Sequence, residues 1–250
     1  SHAPLSFHAM EINGRVALVT GGAVRVGRAL SLGLARAGAD VVVHYHSSED
    51  EAHGTVADIA QLGRRAVSVR LDLAGDNVAP AIRAAHDAFG RLDILVNSAS
   101  TFERAPIGDI TASDWDHVLA VNLRAPFLLA RDAASLLRAA RGTVVNIVDL
   151  SAFQAWPSFA HHSVSKAGLV QLTRVLARAL APEVRVNGIA PGTVLPAPGY
   201  DGEDYAGGRD RRVVEREGRP EDVVDALLYL VRSDFVTGRV LVADGGRMLL

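Results

Sequence analysis

The chain has 250 residues, 49% of them apolar and 22% charged, with 23 Gly, 10 Pro and no Cys. That balance excludes a disordered, collagenous or coiled-coil chain, and the length accommodates one large α/β domain with a full core. A formal net charge of −2 offers no global field to nucleic acid or an anionic membrane, and the lack of Cys removes disulfides, thiolate metal sites and cysteine nucleophiles together.

Residues 1–9 have neither the basic start nor the apolar stretch of a signal peptide. They are expected to form a tag remnant or ragged arm, with the fold beginning at Met10. No apolar run approaches the ~18 residues of a transmembrane helix, and a reducing cytoplasm is the expected setting. From there, short β-branched runs alternate with longer Ala/Leu/Arg segments of helical period. In chain order they predict strand Val16–Thr20, helix Gly27–Ala37, strand Val41–Tyr45, helix Glu49–Leu62, strand Ala66–Leu71, helix Val78–Phe89 and strand Ile94–Asn97. Then follow helix Ser113–Ala140, strand Thr143–Val148, helix Ser158–Leu180, strand Val184–Ile189, helix Pro220–Arg232 and strand Val240–Ala243. Several strands are apolar throughout, as a parallel sheet covered on both faces requires. The expectation is one α/β domain, a Rossmann-like doubly wound parallel sheet of seven strands. Thr193–Arg219 breaks the rhythm, being long, polar and rich in Gly and Arg, and reads as a substrate loop.

The first strand runs into Thr20-Gly21-Gly22-Ala23-Val24-Arg25-Val26-Gly27 before a helix. Glycines in a strand-to-helix turn let backbone N–H groups and the helix dipole approach a pyrophosphate. NAD sites place a carboxylate at the end of the second strand, against the ribose 2′-hydroxyl. Here that strand ends His44-Tyr45-His46-Ser47-Ser48, with no carboxylate until Glu49. Ser47, Ser48 and Arg25 suit a 2′-phosphate, so NADP(H) is favoured over NAD(H). The plainer alternative is that the polar residues cap the next helix, as Ser48 is placed to do.

These motifs resemble the short-chain dehydrogenase/reductase family from Gly14 to the C-terminus. The Gly-rich turn is followed by Asp72-Leu73 at the adenine-contacting position and by Asn97-Ser98-Ala99-Ser100 in place of Asn-Asn-Ala-Gly. Asn122 matches the family's structural Asn, and Pro191-Gly192 and Asp244-Gly245-Gly246 match later motifs. Within the family, four departures are similar to those of the pteridine reductases: Arg25 in the turn, His44-Tyr45-His46, the Asn97/Ala99/Ser100/Phe102 loop, and Asp149 where most members have the catalytic Ser. The resemblance implies cofactor contacts from Gly21, Arg25, Val26, Gly27, His46, Ser47, Ser48, Asp72, Leu73, Asn97, Ala99, Lys166, Pro191 and Gly192. It implies substrate contacts from Ser100, Phe102 and Asp149, with Phe102 stacking a flat pterin. Ser47 stands where the subgroup has Arg, which weakens the NADP preference.

The larger departure is catalytic. Family members carry Tyr-x-x-x-Lys, and this chain reads His162-Ser163-Val164-Ser165-Lys166. An adjacent Lys cation favours the neutral imidazole, able to pass a proton through water but a poor replacement for the phenol. The expected catalytic group is therefore Asp149, His162, Lys166 and Asn122. The expected activity is NADPH-dependent reduction of a dihydropterin or dihydrofolate, with the proton supplied through Asp149 and water. The alternatives are reduction of another small carbonyl compound, and an NADP(H)-binding protein without catalysis.

Tyr200 and Tyr205 lie in the substrate loop as substitute acids. His161 reads as bland, and His44 and His46 have no metal-ligand partners, so no metal site is expected. The cluster Arg209, Arg211, Arg212, Arg216 and Arg219 suits nucleic acid or an anionic substrate such as a folate tail. Interspersed Asp210, Glu215 and Glu217 favour a solvated lid instead. A small-molecule substrate, no nucleic acid, no membrane and a homo-oligomer, tetramer or dimer, are expected, with the apolar Val240–Leu250 end at a subunit interface.

Overall fold

The structure, a computed structural model, describes residues 10–195 and 212–250; the arm expected at 1–9, and Tyr200, Tyr205, Arg209 and Arg211 of the long loop, lie outside them. The β-branched runs form β1 (Val16–Val19), β2 (Asp40–Tyr45), β3 (Ala66–Arg70), β4 (Ile94–Asn97), β5 (Thr143–Ile147), β6 (Arg185–Pro191) and β7 (Val240–Ala243). All pair in parallel, in the order β3-β2-β1-β4-β5-β6-β7. The helices are α1 (Arg25–Arg36), α2 (Glu49–Gln61), α3 (Ala79–Phe89), α4 (Ala112–Leu119), α5 (Ala125–Ala140), α6 (Ala160–Ala179) and α7 (Pro220–Arg232).

The pleat explains why the central strands are apolar throughout. In β1, Ala17 and Val19 face a core shared with Leu30 and Leu34 of α1, Ile59 of α2 and Leu227 of α7. Val16 and Leu18 face the opposite core, with Ile82 of α3 and Leu129 of α5. Both faces of one strand are therefore buried, as the period-2 geometry of a covered sheet demands. The strand order reverses between β1 and β4, which opens a crevice at the carboxyl ends of the strands.

Two expectations needed correction. The single helix read over Ser113–Ala140 is divided into α4 and α5 by a π-turn at Ala120–Arg124. The wider turn carries Asn122, whose side chain bonds backbone outside the helix, and such turns concentrate at functional sites. Further on, Pro157–Phe159 forms a 3-10 turn, so α6 begins at Ala160 rather than Ser158. Ser48 stands before α2 but makes no side-chain capping bond.

Asp93, fully buried before β4, locks the lower end of the sheet. Its carboxylate accepts from Arg15 Nη1 (2.8 Å), Val16 N (3.0 Å), Arg91 Nε (2.8 Å) and Arg91 Nη2 (2.6 Å). Removing one side of a buried ion pair leaves the remaining donors without a partner. Asp93→Ala is therefore expected to lower unfolding stability by about 3 kcal/mol, measured as a shift in the urea midpoint at unchanged slope.

Candidate active site

At the crevice, the turn after β1 is shaped by two glycines. Gly21 has φ of 62°, and a Cβ on Gly27 would lie 2.0 Å from the Gly21 carbonyl oxygen, so no other residue fits there. Arg25 at φ 53° is also in the left-handed region, an uncommon conformation for a residue with a Cβ. Helix α1 has neither a side-chain cap nor an acidic residue in its first turn, so its leading N–H groups suit an anion. Val26 lies in that first turn. These features fit a dinucleotide pyrophosphate.

The neighbouring strand ends supply the rest of the predicted cofactor set. Ala99 N–H donates to Thr20 Oγ1 at 3.0 Å, and a Cβ on Gly21 would touch Ala99 Cα at 3.0 Å, so the turns after β1 and β4 meet. Asn97 Nδ2 donates to Asn146 Oδ1 of β5 at 2.8 Å. Asp72 Oδ1 accepts from Ala74 N at 2.8 Å, which shapes its own turn, and Leu73 is buried beside it. His46 and Ser47 are exposed beyond β2, with Ser48 half-buried. Pro191 closes β6, and Gly192 N–H donates to Ala243 O at 2.9 Å.

One residue of this region carries a role that its sequence context does not announce. His44 is buried, its Nδ1 accepts from Gly21 N–H at 3.1 Å, and its Nε2–H donates to Leu71 O at 3.0 Å. It pins the Gly-rich turn to the end of β3, beside Asp72. Burial pushes its pKa down to about 4. The signal was present in the His44-Tyr45-His46 triplet, but alternation along a strand does not tell which His turns inward.

The catalytic candidates converge on His162. Its Nε2 lies 2.5 Å from Asp149 Oδ2 and its Nδ1 lies 2.9 Å from the Thr101 carbonyl oxygen. Asn122 Nδ2 donates to Thr101 O at 3.0 Å and Ser165 Oγ at 3.0 Å, while Asn122 Oδ1 accepts from Thr101 N at 2.8 Å. Asp149 Oδ1 accepts from Ser151 N at 2.8 Å and from Ser151 Oγ at 2.5 Å. Lys166 is buried, and its Nζ donates to Ile147 O at 3.0 Å. Burial pushes the Lys166 ammonium down, with Asp149 opposing that shift.

His162 Nδ1 lies between Thr101 O at 2.9 Å and Asn122 Nδ2 at 3.3 Å, and Nε2–H can donate to the Asp149 carboxylate at 2.5 Å. The Lys166 ammonium is held apart from the ring by Ile147 O. Burial raises the Asp149 carboxyl, but the His162 hydrogen bond and the Lys166 charge outweigh it and hold it below the ordinary range.

The pair is open to the crevice on one side. The His162 side chain is 2% exposed and that of Asp149 is 22% exposed. Phe102 crosses the His162 ring edge-on at 4.8 Å and stacks on Phe159 at 4.4 Å. Ser100 and Phe102 are exposed at the mouth. Phe159 and the Thr101 carbonyl were not anticipated, since neither a loop aromatic nor a backbone oxygen has a sequence signature.

A family model described as enoyl-(acyl carrier protein) reductase matches residues 22–247. The chain belongs to the short-chain dehydrogenase/reductase family. Among relatives in this family, an uncharacterized oxidoreductase of Methylorubrum extorquens is 34% identical over 245 residues, covering 94% of this chain and 98% of its own. The structure of FolM alternative dihydrofolate reductase 1 from Brucella canis, complexed with NADP, matches at a TM-score of 0.90 and 35% identity, covering 96% of both chains. A short chain dehydrogenase from Burkholderia cenocepacia, in complex with NADP, matches at 0.87 and 34%, covering 96% of this chain and 100% of that one. No helix among the described residues of this short-chain dehydrogenase/reductase is long and apolar enough to cross a membrane.

Proposed function

We propose that this short-chain dehydrogenase/reductase is an NADPH-dependent reductase of a dihydropterin or dihydrofolate, in which the Asp149–His162 pair supplies the proton. The observation that carries the reading is the 2.5 Å contact between His162 Nε2 and Asp149 Oδ2, at the foot of an aromatic-walled crevice. The NADP-bound relatives and the alternative dihydrofolate reductase among them support the cofactor and the substrate class.

Bound NADPH would supply the hydride. Gly21, Arg25, Val26 and Gly27 would hold its pyrophosphate side, and Asp72, Leu73 and Ala99 would border the adenine side. His46, Ser47 and Ser48 present no carboxylate to a 2′-phosphate. Lys166 would face the nicotinamide ribose. Phe102 would stack the pterin ring, an arrangement contributing about 0.5–1.5 kcal/mol beyond burial. The Asp149 carboxyl, being the exposed member of the pair, passes the ring proton to the substrate nitrogen beside the reduced carbon. Asp149 and neutral His162 remain, and solvent restores the proton.

The test is NADPH consumption with 7,8-dihydrobiopterin and with dihydrofolate between pH 5 and 8. Turnover that declines as pH rises is expected, since deprotonation of the pair removes the donor. NADPH binding without turnover of either substrate would sink the reading.

The chain is also proposed to assemble as a homo-oligomer. Leu241 and Val242 on the edge strand β7, with Leu249 and Leu250 after it, are exposed apolar residues.

A further inference from the structure

The arginines of the long loop have no part in the reaction above. Two of the described ones, Arg212 and Arg216, line a cavity of about 320 Å³ between the loop's return, the end of β6 and the turn after β7. Thr193, Asp222, Asp244 and Arg247 complete its polar lining. The walls are tied to one another. Val213 and Val214 N–H both donate to Gly245 O at 2.9 Å, and Arg247 Nη1 donates to Thr193 Oγ1 at 2.8 Å.

The charged side chains of this cavity differ in their partners. Asp222 is committed to Arg216, with contacts of 2.8 and 2.5 Å, and to Arg219 N–H at 2.8 Å. Asp244 accepts from Gly246 N–H and Met248 N–H, each at 2.8 Å. Arg247 meets a neutral hydroxyl, and among the described residues no carboxylate pairs with it. A half-buried guanidinium with donors to spare is suited to a carboxylate ligand, which it grips bidentately.

We infer that this cavity takes the glutamyl carboxylates of a dihydrofolate substrate, and that Arg247 is the residue that selects for them over an uncharged dihydropterin. The inference rests on the reductase reading for the ring subsite. Strand order places the two subsites on the same edge of the sheet. β5, β6 and β7 are consecutive neighbours, with Ile147 beside Ile189 and Ile189 beside Leu241. At one strand spacing each, the cavity lies about 5–10 Å along the sheet edge from the loop carrying Asp149.

Calorimetric titration with p-aminobenzoyl-glutamate, the tail without the ring, tests the cavity independently of turnover. The wild-type protein is expected to bind it, and to bind the uncharged diamide about tenfold or more weakly. Arg247→Gln should lose about tenfold in affinity, and Arg247→Lys, which keeps the charge without the fork, should recover part of it. Retained thermal melting of both variants separates this loss from misfolding. No binding to wild type, equal binding of the diamide, or unchanged affinity in R247Q would overturn the inference. Carboxylate-dependent binding in a protein that turns over neither substrate would overturn the reductase reading and leave the anion site standing.

Discussion

Asp149→Asn is expected to lower kcat by about 10²–10⁴-fold with dihydrobiopterin or dihydrofolate, the usual contribution of a positioned acid. The amide oxygen can still accept from Ser151, so the loop geometry survives. What disappears is the oxygen that carries the proton from His162 to the crevice. His162→Phe should lose activity on the same scale, because Asp149 then has no neighbouring ring from which to relay a proton. The pH profile distinguishes the proton role from a packing role. Wild-type rate should fall as pH rises, and a mere packing role for His162 would leave that profile unchanged in H162F. Since the two residues act as a unit, the double variant should be little worse than either single one. Wild-type kcat in H162F would remove His162 from the mechanism.

The second large effect concerns His44 and acts on stability. In the unfolded chain this His binds a proton below a pKa near 6.5, and in the fold it does so only below about 4. Between those values the unfolded state holds more protons, so stability falls as pH drops through the window and is fully present above it. The full difference is about 3 kcal/mol, each tenfold change in proton affinity being worth about 1.4 kcal/mol. His44→Gln lacks the titration, so urea unfolding at pH 7 and at pH 4.5 should show a smaller acid loss in the variant than in wild type. Equal losses would rule out His44 as the acid-sensitive group. The variant should also weaken NADPH binding, because Gly21 N–H loses the Nδ1 acceptor that sets the turn.

The fold was legible wherever a residue type admits one backbone role. β4, β7 and α7 have the predicted bounds, since β-branched runs and a leading Pro220 mark them. Gly27 was readable for the same reason, and the structure leaves no room for a Cβ there. The split between α4 and α5 was not legible, because Ala120-Val121-Asn122-Leu123-Arg124 keeps a helical period, and the π-turn is set by the tertiary bonds of Asn122 to Thr101. In the site, Asp149, His162, Lys166 and Asn122 were named from motif positions. The contact of His162 with the Thr101 carbonyl was not accessible, since every residue possesses that acceptor.

The π-turn ties the active site to a count of residues. A π-turn accommodates one residue more than α-helical winding, so shortening Ala120–Arg124 by one would let α4 and α5 merge into a regular helix. Each residue turns an α-helix by about 100°, and Asn122 would swing off the face that meets Thr101 and Ser165. The composition of the segment would hardly change and its helix propensity would not fall. His162 would nonetheless lose the frame that holds the Thr101 carbonyl against it. Length, at this one place, is as much a part of the proton-handling machinery as the identity of any side chain.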